Sequence, residues 1–407
     1  MDDCDQIPAM KELVVEGWRF ICHSYAVVNQ WQLLALLRRN EVALRIRDVP
    51  FFSPNWKRIH GLFAPAQEAA LAGLPIADAN TIPATTLRIS IPYNFSLLAQ
   101  GRLAVFGTAE YGVVPPSYLT GSNDIASLAQ NERFMVITPS NWSAAGFLQL
   151  GLRADQVVVI PHGVDTTVYR PDVQNREAAR NQLHLGGFVF LTVGAMTGNK
   201  GVHELLRAFA RVAQKYSDTT LILKGADDLY KSRDMLQSCL TNMSVHDQHT
   251  IANRMIYFGK TFSMEAMAKL YQLADAYVSP YFAEGFNMPV LEGAASGLPV
   301  ICTSGGSTDD FVKDSFARKI RSELLPIPLE NIDGHVLVPE VEHLTDLMFE
   351  VIENAAWRRA AIIAGPQHVA SNYSWDTVTQ LLTDALFGDV RTIAHKNNVQ
   401  VELQGRD

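Results

Sequence analysis

The chain has 407 residues, 48% of them apolar, and a formal net charge of -8. That length exceeds one ordinary domain, so two or three domains with sizeable cores are expected. The acidic balance argues against a general nucleic-acid binder. Cys4, Cys22, Cys239 and Cys302 are scattered without metal-ligand spacing, which points to a reducing compartment and away from a disulfide framework or zinc site.

The N-terminus, "MDDCDQ", is acidic, the reverse of the basic start of a secretory signal. In the first half, "WRFIC" (18–22), "VALRI" (42–46), "TLRISI" (86–91), "RLAVF" (102–106), "RFMVIT" (133–138) and "QVVVI" (156–160) are expected strands. Residues 134–152 form an uncharged run long enough to raise the question of a membrane span. Pro139, Ser140 and Asn141 interrupt it, so a strand, a turn and a helix are predicted instead. "PHGVDTTVYRPDVQ" (161–174), rich in Pro, Gly and Asp, has the composition of an inter-domain linker.

In the second half, "FVFLTV" (188–193), "TLILK" (220–224), "RMIYF" (254–258), "DAYVS" (275–279) and "LPVIC" (298–302) continue the pattern. Short β-branched runs alternating with helical ones argue for parallel α/β sheets covered on both faces. Two doubly wound domains facing each other are expected, with ligands at the carboxyl ends of the strands. From Val202, apolar residues recur at Leu205, Leu206, Phe209, Val212, Ala213 and Tyr216, which is helical period. A final helix from about Trp375 to Leu386 presents Val378, Leu381, Leu382, Ala385 and Leu386 on one face and is placed to pack back across the domain boundary. The last twenty residues are polar and read as a loose tail. The expected division is 1–165, joined by the helix 374–387, then 166–373, then the tail 388–407.

"YFAEGFNMPVLEGAASGLPV" (281–300) looks like core packing yet carries Glu284 and Glu292. Spacing alone means little, because Glu342 and Glu350 are also eight apart, in an amphipathic pattern whose acids face water. Context separates the two pairs. Pro289 suits a first helical turn and Gly297 a helix stop, so Glu284 falls on the loop before the helix. The amides of Gly285, Phe286, Asn287 and Met288 then form a helix N-terminus suited to a diphosphate. Glu292, one turn inside, is placed to accept two hydroxyls such as those of a ribose. Glu284 is placed to bind sugar hydroxyls or support positive charge. The alternative is that both glutamates only support the helix N-terminus.

"EGFNMPVLEGAASGLPVICTSGGSTDD" resembles the E-x7-E signature region of retaining GT-B glycosyltransferases of the group 1 type, the glycogen synthase and mannosyltransferase-like family. "FLTVGAMTGNKGVHELLRAFARV" is similar to the first strand, loop and helix of their donor domain. "VITPSNWS" and "VVVIPHGVDTTVYRP" resemble the last acceptor-domain strands and the linker, and "YSWDTVTQLLTDAL" the closing helix. The likeness runs from about 133 to 386. It implies a GT-B fold, α/β with two Rossmann-like domains around a cleft, an N-terminal acceptor domain and a C-terminal donor domain.

The resemblance also implies transfer of a sugar from a nucleotide diphosphate donor, a UDP- or GDP-sugar, to a glycan, lipid-linked or other hydroxyl acceptor, with retention. It implies that Glu292 holds the ribose and Glu284 the donor sugar, with the amides of 285–288 on sugar and diphosphate. Lys200, after Gly198 and Asn199, would stabilise the leaving diphosphate. No metal and no cofactor are expected, and no Asp-x-Asp strand-end motif is present. The location expected is cytoplasmic, with peripheral contact at the inner face of a membrane left open, and oligomeric state is not legible.

Departures from the family are specific. Ala195 stands where the family usually has an arginine on the diphosphate, and Lys224 at the end of "TLILK" is the candidate replacement. "CHSYAVVNQ" (22–30) replaces the family's Gly-rich first loop. His23, Ser24 and Tyr25 are expected to face the cleft on the acceptor side, a buried satisfied histidine being the alternative for His23. No histidine follows the middle strand in "LAVFGTAEYGVVPP" (103–116), and Glu110 and Tyr111 are the polar groups available for the acceptor. "SGGSTDDF" (304–311) fits either a phosphate cradle or a tight turn, and the backbone of "FGKTF" (258–262) is placed to meet a base. Arg38, Arg39, Arg45, Arg47, Lys57 and Arg58 fit either an anion-docking face or a solvated surface. A nucleotide-sugar-binding protein with lost catalysis and a sugar-nucleotide epimerase of the same architecture remain the competing functions.

Overall fold

The computed structural model describes residues 10–78, 81, 83–121 and 123–388. Cys4, the acidic N-terminus and the tail from 389 onward lie outside the described residues. Two six-stranded parallel sheets carry the fold. In the first, the strands stand in the order Val42–Asp48, Lys11–Gly17, Thr85–Ile89, Arg102–Phe106, Phe134–Thr138 and Val157–Val159. In the second, the order is Met255–Phe258, Thr219–Lys224, Phe188–Val193, Ala276–Ser279, Val300–Thr303 and Ala317–Ile320. Central strands such as Phe188–Val193 are continuous apolar runs because helices cover both faces.

The first expected strand is displaced. Residues 18–22 form a buried loop, and the sheet lies in the preceding "KELVVEG", Lys11–Gly17. Phe20 adopts φ 60°, which an extended strand cannot contain. Side chains satisfy this loop's backbone: Gln30 Oε1 accepts from the Phe20 N–H (2.8 Å), and Asn29 Nδ2 donates to the Trp18 carbonyl (2.9 Å). Trp18 and Ile21 are buried by loop packing, so their apolar run imitates a strand. The run 134–152 resolves into the strand Phe134–Thr138 and the helix Asn141–Leu148, as its breakers predict. Among the described residues, no helix is long and apolar enough to cross a membrane.

The closing helix Trp375–Phe387 returns to the N-terminal half. Trp375, Val378, Leu382, Ala385 and Leu386 join that half's core, and the Trp375 ring stacks on Trp31 with centroids 6.4 Å apart. Arg102 Nη1 donates to the Leu386 and Gly388 carbonyls (2.9 and 3.0 Å), fixing its end. The basic cluster is partly used up in such contacts. Arg38, Arg39, Arg47 and Arg58 pair with Asp376, Glu41, Glu16 and Asp48, while Arg45 and Lys57 are exposed.

An antiparallel hairpin of Ser322–Leu329 and Ile332–Pro339 is an element the sequence reading did not contain. It leaves the second sheet's edge and crosses to the N-terminal half. The His335 N–H donates to the Tyr111 carbonyl (2.8 Å), and Ser117 hydrogen-bonds Glu330.

Candidate active site

The two sheets point their carboxyl ends at a cavity of about 540 Å³. His23, Ser24, Tyr25, Glu110 and Tyr111 line it from the N-terminal half. Asn199, Lys200, Lys224, Glu284, Gly285, Phe286, Asn287, Met288 and Glu292 line it from the C-terminal half. Gly198 is not on this wall; it opens the short 3-10 turn Gly198–Lys200 behind it. The glycines of "SGGSTDDF" are not on the wall either. Gly305 turns at φ +85° with its N–H on Asp309 Oδ2 (2.8 Å), which is the tight-turn alternative. From "FGKTF", Phe262 reaches the cavity.

The helix Met288–Ala295 starts after Asn287, which takes φ 74° and donates from Nδ2 to Ser279 Oγ (2.9 Å). That left-handed cap turns the loop 284–287 back over the strand end of Ala276–Ser279. A Cβ on Gly285 would stand 2.6 Å from Thr108 Cβ, so only glycine lets the two halves approach there.

Lys200 ends the turn before Gly201, and its ammonium is hydrogen-bonded to Glu284 Oε1. Burial works against the Lys200 charge, but Glu284 and then Glu110 outweigh it, and its pKa is raised. Asn199 ties this corner together. Its Nδ2 donates to the Ala283 carbonyl (2.9 Å), and its carbonyl accepts from the Phe282 N–H (2.7 Å).

Glu292 lies deeper. Burial raises its carboxyl to about 7, against the lowering effect of the Tyr271 and Tyr169 hydroxyls. Tyr271 OH donates to its Oε2 at 2.8 Å. Lys224 is buried, and desolvation lowers its pKa despite Cys22, Asp228 and Asp227 nearby. Its ammonium donates to the Gly225 carbonyl and lies 5.1 Å from the Phe262 ring centre. Strand pairing sets it beside the loop holding Ala195, through Gly194 N–H to the Lys224 carbonyl (3.0 Å).

His23 satisfies both of its sequence-level alternatives. It lines the cavity and caps the helix Ser24–Arg39, with Nδ1 accepting from the Tyr25 N–H (3.2 Å). Burial lowers its pKa to about 4, so it is neutral at ordinary pH. Tyr25 OH meets Tyr93 OH (2.8 Å) and Thr108 Oγ1 (3.1 Å).

Sequence reasoning missed how the N-terminal half holds the loop 284–287. Ser140 Oγ and Ser143 Oγ both donate to the Gly285 carbonyl (2.6 and 3.2 Å). Asp310 accepts from the N–H and Nδ2 of Asn141 (2.7 and 3.0 Å), which places a carboxylate at that helix's N-terminus. The S-x-x-S pattern of "SNWS" shows a helix cap in sequence, but nothing local shows a partner more than a hundred positions away.

Two facing Rossmann-like domains with a helix N-terminus aimed into the cleft define a GT-B fold. Residues 187–354 match the family model described as glycosyl transferases group 1. A D-inositol 3-phosphate glycosyltransferase of Acidothermus cellulolyticus is 23% identical over 274 residues, covering 65% of this chain and 55% of that protein. A GDP-mannose-dependent alpha-(1-6)-phosphatidylinositol monomannoside mannosyltransferase of Mycobacterium tuberculosis is 23% identical over 259 residues, covering 61% of this chain and 60% of that one. The chain thus spans less than two thirds of these curated relatives. Among solved structures, a glycosyltransferase from Rickettsia africae superposes with a TM-score of 0.67 at 14% identity, covering 95% and 99% of the two chains. Anabaena HepE in complex with UDP-glucose gives 0.64 at 16% identity, covering 92% and 99%.

Proposed function

We propose that the protein is a retaining glycosyltransferase that moves a hexose from a nucleoside diphosphate sugar to a hydroxyl of a glycan or lipid-linked acceptor. The observation that carries this is the Lys200–Glu284 pair at a helix N-terminus, with Glu292 one turn further in, all on one inter-domain cavity. The relatives' names include a GDP-mannose-dependent enzyme, and a fold neighbour holds UDP-glucose, which supports the donor class and leaves the base open.

In this reading the ribose hydroxyls donate to Glu292, and the amides of 285–288 receive the diphosphate. Glu284 accepts from the sugar's hydroxyls. As the sugar–oxygen bond breaks, negative charge grows on the departing diphosphate, where Lys200 and the helix N-terminus stabilise it. The acceptor hydroxyl attacks the same face and passes its proton to the leaving diphosphate. His23, Ser24, Tyr25 and Tyr111 form the acceptor wall. Lys224 supplies the second cation on the diphosphate that Ala195 cannot. This requires its ammonium to leave the Gly225 carbonyl.

Ala195 also favours a second reading, a donor-binding protein with weakened turnover. A thermal-shift screen of nucleoside diphosphates and their sugars, followed by donor hydrolysis, separates the two. Stabilisation by a donor that Glu292→Ala abolishes is expected, with turnover lost in Lys200→Ala. Stabilisation by none of them, or equal stabilisation of Glu292→Ala, would sink the donor site. Binding without hydrolysis or transfer would favour the second reading. Unchanged affinity and turnover in Lys224→Ala would remove that residue from the diphosphate.

A further inference from the structure

Glu110 stands where the N-terminal wall faces Glu284. It follows the strand Arg102–Phe106, and Trp142 Nε1 donates to its carbonyl (2.8 Å), fixing the backbone. Its Oε2 lies 3.5 Å from Asn199 Nδ2, in the corner that also holds the Lys200–Glu284 pair. Glu110 is half-buried and lines the cavity. Lys200 and Glu284 both act electrostatically on it, and it acts on Lys200 in return. The corner therefore brings two carboxylates to one ammonium. Position 195 adds no charge, and the Lys224 ammonium is held by the Gly225 carbonyl beside Phe262.

We propose that Glu110 is a second sugar-facing carboxylate, set across the donor sugar from Glu284, and that it determines the charge of the donor accepted. The site takes a nucleoside diphosphate hexose that presents hydroxyls or an ammonium group to Glu110, and rejects nucleoside diphosphate uronic acids. This rests on the donor reading above and moves Glu110 from the acceptor wall, its sequence-level assignment, to the sugar.

The physical reason is pairing. A hexose hydroxyl donates to Glu110 and satisfies it. A uronate would bring a third carboxylate into the same partly desolvated corner, where the single ammonium is already shared. Like charges sharing a partly desolvated corner disfavour each other, and rejection of this kind gives specificity without any added contact to the preferred ligand.

The test is titration calorimetry on the full chain. UDP and GDP alone identify the base and report the diphosphate site separately from the sugar. Matched pairs in that base are then compared, UDP-glucose with UDP-glucuronic acid or GDP-mannose with GDP-mannuronic acid. Wild type should bind the hexose at least about tenfold tighter, about 1.4 kcal/mol. Glu110→Gln should narrow the ratio to within about threefold, and Glu110→Lys should turn it in favour of the uronate. Equal binding of hexose and uronate by wild type overturns the inference, as does an unchanged ratio in Glu110→Gln. The first needs no variant to fold. Failure of both bare diphosphates to bind wild type instead removes the donor site itself, and this inference with it.

Discussion

Glu292 is a buried carboxyl on the cavity wall, and its ionisation costs the folded protein stability. Its carboxyl is raised to about 7 by burial, with Tyr271 and Tyr169 only partly offsetting that. Between the ordinary glutamate range and pH 7, the folded protein keeps a proton that the unfolded chain has released. Stability of the ligand-free protein therefore falls as pH rises across this window, by at most about 1.4 kcal/mol per pH unit, and levels off above about pH 7. Glu292→Gln should abolish this slope and melt higher than wild type at pH 8. Hydroxyl donors need the ionised carboxylate, so donor affinity should rise with pH up to about 7 in wild type and stay flat and weak in Glu292→Gln. Denaturant titrations and donor titrations at pH 5.5, 7 and 8 check both halves. A parallel stability profile in the variant would show that Glu292 is not the group titrating.

At the scale of elements, the loop 284–287 is held by the N-terminal half. Ser140 is fully buried and does two things: it caps Asn141–Leu148 by accepting from the Ser143 N–H (3.1 Å), and it donates to the Gly285 carbonyl. Ser140→Ala removes both bonds and leaves Ser143 Oγ as the hydroxyl on that carbonyl. A loss of about 1–2 kcal/mol is expected for such a cap and buried bond. On the proposed reading this loop receives the diphosphate, so donor KM should rise severalfold with a smaller change in kcat. Thermal melts with donor kinetics decide it; a stability loss with unchanged KM would make the contact purely structural.

Such links explain what the sequence could and could not convey. "RLAVF" and "FVFLTV" announced strands because central parallel strands covered on both faces are largely apolar, and "VALRI" did so by the alternation of a half-buried edge strand. That Glu284, Glu292 and the loop 285–288 stand at a strand end facing a cavity was legible from a local order of strand, loop, proline and helix, whereas Lys200 came from the family resemblance. The hairpin 322–339 was not, since Pro326, Pro328 and several acids break the strand pattern, and its purpose lies in Tyr111 and Ser117, some two hundred residues earlier. "WRFIC" misled because burial by loop packing and burial in a sheet select the same residues. Glu110 was found as a polar group, but its neighbours Asn199 and Lys200 come from the other domain, and only folding sets them together.

Across the whole molecule, the cavity is bridged at several places around its rim. The Met264 N–H donates to the Leu62 carbonyl (2.8 Å), and Trp56 Nε1 to the Leu229 carbonyl (3.4 Å). Elsewhere on the rim the hairpin reaches Tyr111 and Ser117, and Asn141 meets Asp310 near the linker. On the proposed reading a nucleotide sugar occupies this inter-domain cavity, and its exchange is expected to involve parting of the two domains, as hinged domains around a ligand do. The hairpin contact is solvent-exposed and is worth up to about 1 kcal/mol, whereas the Asn141–Asp310 contact is half-buried. Glu330→Ala should therefore leave the fold and the chemistry intact while loosening the closed state. The nucleotide dissociation rate should rise by up to about fivefold, the equivalent of that 1 kcal/mol. Stopped-flow displacement of a fluorescent nucleoside diphosphate measures it, with Glu353→Ala, an exposed change far from the cavity, as the control. Identical rates in Glu330→Ala and wild type would mean that the hairpin rests on the N-terminal domain without holding it shut.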